Sequence, residues 1–445
     1  VIALAALLRF PLLDIFPGST PDEGGWPLAV RSWVDDGDRT YDLHSAPGYH
    51  VLLGIPFAIA GSSYEVARTA SVTAAVIALA FWFFAVAKAV GRPAAVISAL
   101  LIATSFDAIT NDRRALIEPY QMLAMSALFW AWCTREHRRG VWIALLTAAL
   151  LLTKAIAIVF VAAFGASTFL ESARELGKRR ADRLALAAGV GLAVAVYIGL
   201  YLSDPPTFLR GWGDNVGLAT YEASDAVFRV GRFGFAPETV KTSLLALSHA
   251  DPVVYAVALL GFVAALKRRV LLPLAFGIPF TLGFLLLQVW QAGNYFHPIT
   301  PMACILAGWW LSTQRKQWQV AVLCAAVSLS GVRFARGVAA ADPAERIATA
   351  DFEARLQPTD HVLSAAYLSM RLSGTVTSYP EFPLPYLPSL DTLRARKITW
   401  LLYDKREWAN AHRRLPPDSV RAWLDSCCVV EPGIGGGVFL AYRVR

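Results

Sequence analysis

Pro21-Asp22-Glu23-Gly24-Gly25-Trp26 follows directly on the first apolar run of the chain, at the point where a helix leaving a bilayer meets water. Two adjacent carboxylates at that boundary have two readings. One of them serves as general base for an acceptor hydroxyl, where position and a tuned pKa count for more than basicity; or both cap an interfacial helix by accepting its free backbone N–H groups. The surrounding chain decides between them.

Of 445 residues, 56% are hydrophobic and 17% charged, and the mean hydropathy is +0.47, too apolar for a soluble globular protein. Against 33 Asp and Glu stand 41 Lys and Arg, but the basic residues fall in short clusters between apolar runs. That is the pattern of membrane topology, not a nucleic-acid footprint, so no nucleic-acid partner is expected. The sequence starts at Val1 inside an apolar run, read as the remnant of a first helix. Cys133, Cys304 and Cys324 lie in or beside apolar runs, and Cys427 and Cys428 are neighbours, so no disulfide framework is expected.

Cytoplasmic loops are enriched in Lys and Arg, and the clusters at 88–92, 135–139, 174–183, 267–269 and 315–316 thread the chain consistently. The result is a polytopic α-helical membrane protein of about eleven transmembrane helices, multi-pass in an inner or plasma membrane, with its N-terminus cytoplasmic. The expected spans are 1–16, 69–87, 93–110, 119–133, 141–153, 155–170, 184–203, 252–266, 270–288, 298–312 and 318–332. Residues 47–60 are too short to span and form an interfacial helix in the first outer loop. From about 336 the composition changes. Asp342-Pro343-Ala344-Glu345 reads as a helix start, and His361-Val362-Leu363, Ile398 to Tyr403 and Val438 to Tyr442 as short strands. The chain thus divides into a transmembrane part, 1–335, and a small C-terminal extracytoplasmic α/β domain, 336–445.

This threading brings Asp22, Glu23, the stretch from Asp112 to Glu118, and Lys154 to one outer face. An ionisable group at membrane depth costs roughly 2.5–3.5 kcal/mol on insertion scales, so one kept in an apolar stretch has a partner or a task. Lys154 either faces a lipid-linked phosphate or snorkels to the headgroups. His44, His50, His249 and His297 are scattered without metal-ligand spacing and read as surface or interface residues. No cofactor is expected; a divalent metal is possible but not indicated. The run Gly433-Ile434-Gly435-Gly436-Gly437 leads into a strand rather than a helix, which argues against a phosphate cradle.

In order, the chain carries Asp22-Glu23, Pro47-Gly48-Tyr49, Glu118-Pro119, Thr153-Lys154 and Tyr295-x-x-Pro298-x-x-Pro301. This succession over residues 1–312 resembles the GT-C superfamily of membrane glycosyltransferases, in the branch of lipid A aminoarabinose transferases and protein O-mannosyltransferases. The resemblance implies transfer of a sugar from a polyprenyl-phosphate donor to a lipid, glycan or protein acceptor at the outer face, with inversion at the anomeric carbon. It implies Asp22 as general base, with Glu23 and Glu118 as the other catalytic acids. Lys154, Arg113, Arg114, Arg229 and Arg232 are the candidates for the donor phosphate, and Tyr49 and Tyr295 for substrate contacts. The chain departs from the pattern at Asn294, where relatives often have Arg before the Tyr, and at Ser45-Ala46, where many have Lys before the Pro.

The rival class is a transporter or flippase of lipid-linked saccharides. It would place ionisable groups near the bilayer midplane and broken helices in corresponding positions of two halves. Acids at the outer boundary favour catalysis there.

Overall fold

Alternating apolar runs and basic clusters become, in the computed structural model, a succession of helices followed by a mixed sheet. The structure describes residues 1–17, 21–36, 47–134, 138–171, 176–206, 208, 228–230, 233–287, 296–341, 343–372, 377–382, 389–404, 417–435 and 439–445. Helices α1 (Ile2–Arg9), α2 (Pro21–Arg31) and α3 (Pro47–Ala60) precede the 27-residue α4 (Tyr64–Val90). Ser63 starts α4 by accepting the Val66 N–H, and Gly91, at φ +105°, ends it. Next come α5 (Arg92–Thr104), α6 (Phe106–Asp112), α7 (Glu118–Cys133), α8 (Arg139–Thr153), α9 (Ile158–Glu171) and α10 (Leu176–Ser203). A short hairpin, β1 (Phe228–Val230) and β2 (Phe233–Phe235), leads to α11 (Pro237–Ala250), α12 (Pro252–Arg268), α13 (Leu272–Leu286), α14 (Ile299–Ser312) and α15 (Lys316–Ala339).

Each expected apolar run between 69 and 332 falls on a helix or a pair of helices, although α10 starts eight residues before its expected span and α15 ends seven beyond its own, and the helix over 47–60 has the expected bounds. Among the described residues, three helices are long and apolar enough to cross a bilayer: α4, residues 180–203 of α10, and the helix beginning at Lys316. Two further pairs qualify only together, α5 with α6 at a 62° bend and α11 with α12 at a 98° bend, and five apolar helices are shorter. The expected count of about eleven spans therefore takes in many short pieces.

The break after α5 has a local cause. Ser105 turns out of the helix and its Oγ accepts the Ala108 N–H, starting α6. Carbonyls freed at the end of α5 need partners where water is scarce. Arg9 supplies them, donating to Ala103 O at 2.9 Å and Ile102 O at 3.1 Å, with Nε on Asp112 Oδ2 at 2.8 Å. At Gly308, where α14 meets α5, a Cβ would stand 2.4 Å from Ser98 Oγ, so only glycine permits that approach.

Beyond α15, which runs past the expected boundary at 335, lies α16 (Ala344–Glu353) and a sheet of order β4-β3-β5-β7-β6. Its strands are β3 (His361–Ala365), β4 (Thr377–Phe382), β5 (Trp400–Asp404), β6 (Cys428–Glu431) and β7 (Phe439–Val444), parallel on the β4-β3-β5 side and antiparallel on the other. Helices α17 (Ala366–Arg371), α18 (Leu390–Ala395) and α19 (Pro417–Cys427) connect them. Trp400 and Leu402 pack with Phe352 and Phe439 on one side, while Leu401 joins Leu363 and Leu424 on the other, the two-residue alternation of a sheet covered on both faces.

This α/β part is joined to the helices through α17. Met370 packs in one cluster with Leu28 and Val30 of α2 and Leu53 of α3. Arg371 donates to Glu345 Oε1 at 2.7 Å and to Asp14 O at 3.1 Å, and Arg346 pairs with Asp14 at 2.9 Å.

Candidate active site

The segment leading into α2 is gathered by two buried arginines. Arg113 donates through Nε to Phe16 O at 2.9 Å, through Nη1 to Leu8 O and Arg9 O at 3.0 Å each, and through Nη2 to Pro11 O. Arg68, fully buried on α4, donates to Pro17 O at 2.9 Å and to Leu13 O. Arg9, Phe16 and Pro17 are buried, so their carbonyls would otherwise be without a partner.

Glu23 completes the arrangement. Arg68 grips it with Nε on Oε1 at 2.9 Å and Nη2 on Oε2 at 3.0 Å, and Oε1 also accepts the Ala115 N–H at 3.0 Å and the Tyr64 hydroxyl at 3.3 Å. One side chain thereby ties α2 to α4 and to the turn before α7. The Tyr64 ring carries two guanidinium groups, Arg68 at 4.6 Å and Arg371 at 4.3 Å from its centroid, so α17 reaches the same knot.

Glu118 and Lys154 meet as the threading expected. Glu118 opens α7 ahead of Pro119 and is fully buried. Lys154 occupies the break between α8 and a short turn, Ala155–Ala157, with φ −155° and ψ 116°, an extended residue between two helical ones. Its Nζ pairs with Glu118 Oε1 and lies 5.8 Å from the centroid of Trp26 on α2. The first turn of α3 closes on the same break: a Cβ at Gly48 would stand 2.9 Å from Leu152 C and O. That glycine lets Tyr49 sit fully buried at right angles to Tyr120, ring centroids 5.3 Å apart.

Lys154, Gln121 and Thr281 are the polar residues lining a small cleft, whose walls also include Phe160, Phe284, Leu285 and Pro298. Gln121 buries both amide atoms, and Tyr49 its hydroxyl, with no hydrogen-bond partner among the described residues. Of these, Gln121 lines the cleft, so its amide is available to a ligand's polar groups.

Measured against expectation, the site changes in composition. Position 22 lies in the first turn of α2, one turn before Trp26, but its side chain is outside the described part. Glu23 is a holding residue rather than a second free acid, because both its oxygens are engaged. Arg113 is spent on backbone carbonyls, whereas Arg114 has a buried Nε with no partner among the described residues. Arg229 stands in β1 with an undescribed side chain, and Arg232, Tyr295 and His44 lie outside the described residues. His297, expected at a surface or interface, is 1% exposed with Nε2 2.9 Å from Asp112 Oδ1; His50 is buried too, against Trp33 and Tyr49. Arg68, Tyr64 and Gln121 were missed. Arg68 gave one signal, a guanidinium at the start of a long apolar run, which membrane depth makes costly without a partner.

The fold, a helical bundle with an acidic pair on the helix after the first apolar run and a mixed sheet packed against that helix, is shared with solved structures that have the GT-C fold. ArnT of Cupriavidus metallidurans bound to undecaprenyl phosphate aligns over 99% of this chain and 97% of its own, with TM-score 0.67 and 13% identity. The same enzyme in the apo state gives TM-score 0.70, again at 13% identity, over 99% and 96% of the two chains. The oligosaccharyltransferase AglB of Archaeoglobus fulgidus, in complex with an inhibitory peptide and a dolichol-phosphate, aligns over 100% of this chain and 73% of its own, with TM-score 0.54 and 13% identity. No family model and no curated protein sequence matches the chain.

Proposed function

We propose that this protein is an integral membrane glycosyltransferase that moves a sugar from a polyprenyl-phosphate donor to an acceptor at the extracytoplasmic face. The observation that carries the reading is the near full-length likeness to ArnT, which was crystallised with undecaprenyl phosphate. Within this chain, a cleft with largely apolar walls and a lysine in its lining supports a lipid-linked phosphate as the ligand. The N-terminus is then cytoplasmic and the C-terminal α/β part extracytoplasmic.

In the reaction, the Asp22 carboxylate takes the proton of the acceptor hydroxyl as the oxygen attacks the anomeric carbon from the face opposite the phosphate. The bond from that carbon to the phosphate oxygen breaks, its electron pair leaves with the phosphate, and the sugar is transferred with inversion. Polyprenyl phosphate is already a competent leaving group, so position and charge do most of the work. Lys154 neutralises the departing phosphate, Glu118 holds Lys154 in place, and Arg114 offers a second cation. Glu23 fixes α2, and with it the position of Asp22.

The test is transfer from a panel of radiolabelled polyprenyl-phosphate sugars by membranes holding the wild type or Asp22→Asn. Transfer falls by orders of magnitude in the variant while donor binding is kept. Wild-type membranes that transfer nothing yet move labelled lipid between leaflets would replace the transferase with a flippase.

A further inference from the structure

We propose that His297 is a further contact for the phosphate of the lipid-linked donor, acting through Nδ1 while Asp112 and Arg9 hold the ring from its other side. The inference rests on the transferase reading and adds a residue to its donor site.

The ring is anchored on one side only. Nε2 lies 2.9 Å from Asp112 Oδ1, and the other oxygen of Asp112 accepts from Arg9 Nε at 2.8 Å. Arg9 is itself fixed by the carbonyls of Ile102 and Ala103 at the broken end of α5, so Asp112 has no freedom to turn away. A carboxylate held in this way sets the orientation of an imidazole and favours its charged form. Neither ring nitrogen makes an aligned hydrogen bond among the described residues: Nε2 has only the charge pairing with Asp112, and Nδ1 is buried without any partner. A buried nitrogen left unbonded is available to a ligand that can bond it, since buried polar atoms usually have partners.

The ring's place in the chain points to what that nitrogen meets. His297 immediately precedes Pro298, a wall of the cleft that Lys154 and Gln121 also line. In the imidazolium form both nitrogens donate, Nε2 to Asp112 and Nδ1 to an anionic oxygen arriving in the cleft. A phosphate oxygen fits, because it accepts charge-assisted bonds from Lys154 and His297 together.

The test uses the intact protein in detergent and measures the dissociation constant for undecaprenyl phosphate. The variants are His297→Ala, His297→Gln, whose amide falls near the Nε2 position, and His297→Asn, whose amide falls near the Nδ1 position. Binding weakens about tenfold or more in Ala and Gln, as expected for a lost hydrogen bond to a charged group, and is largely restored in Asn. Unchanged affinity in Ala or Gln, or no restoration in Asn, overturns the proposal. Inorganic phosphate that competes as well as the lipid would overturn the lipid as ligand. Should the variants fail to fold, wild-type protein labelled with ¹⁵N-histidine decides: the His297 Nδ1–H resonance shifts on adding undecaprenyl phosphate, as expected for a proton newly hydrogen-bonded to an anionic oxygen, and a Nδ1–H resonance unchanged by the lipid refutes the contact. A wild type that does not bind the lipid at all refutes the transferase reading instead.

Discussion

Replacing Arg68 by Met leaves the Glu23 carboxylate fully buried without its main counter-charge. The pair is two-pronged, 2.9 and 3.0 Å, with both side chains excluded from solvent, and Arg68 also serves the carbonyls of Leu13 and Pro17. Breaking a buried pair from one side costs about 3–5 kcal/mol, whereas replacing both members by well-packed neutral groups is often close to neutral. The double variant Arg68→Met with Glu23→Gln therefore recovers most of the loss. The measurement is thermal or denaturant unfolding of the detergent-solubilised protein, arranged as a double-mutant cycle with an expected coupling of at least about 2 kcal/mol. Transfer assayed on the same four proteins separates holding from chemistry. If Glu23 only fixes α2, the double variant keeps measurable transfer that Asp22→Asn lacks. A single variant as stable as wild type, or a double variant that is folded but as inactive as Asp22→Asn, would refute the reasoning.

Lys154→Met strands Glu118 in the same way, and adding Glu118→Gln restores the unfolding midpoint; transfer by the double variant nevertheless stays about 10²-fold or more below wild type, read from initial rates with labelled donor. Gly48→Ala pushes α3 away from Leu152 and moves the Lys154 break, so kcat falls by up to about 10²-fold with a much smaller change in lipid affinity. Gly308→Ala, which drives a methyl into Ser98, costs about 1–3 kcal/mol or more in unfolding without changing donor binding in the folded fraction. Arg371→Ala removes the link from α17 to Glu345, Asp14 and the Tyr64 ring; faster proteolysis of the loop before α2 and reduced transfer are expected, with the C-terminal sheet intact by circular dichroism.

Helix positions were legible because a hydrocarbon environment leaves a one-dimensional trace in the sequence: long apolar runs punctuated by basic clusters. The bounds of α3, α7 and α8 follow from it almost residue for residue. The bend at Ser105 was not legible, because the serine that starts α6 looks like any small residue in an apolar run and Arg9, which takes the freed carbonyls, lies nearly a hundred residues earlier. The site divides along the same line. Glu118 and Lys154 come from neighbouring spans and were brought to one face by topology alone. Arg113 and Glu23 have their partners in backbone carbonyls and in a distant helix, contacts that carry no local spacing, so their charges looked available when they are not. His297 misled for a related reason: nothing near it in sequence announces a carboxylate from α6.

The contact between α17 and α2 bears on how such proteins can be recombined. The five-stranded sheet has a core of its own, which invites treating it as a cap to be exchanged between relatives. Met370 and Arg371, however, are seated among residues from the helix that carries the acidic pair and from the start of α4. A chimera that takes its sheet from one parent must take α2 and the first turns of α4 from the same parent, or its interface residues will meet a helix they were not shaped for.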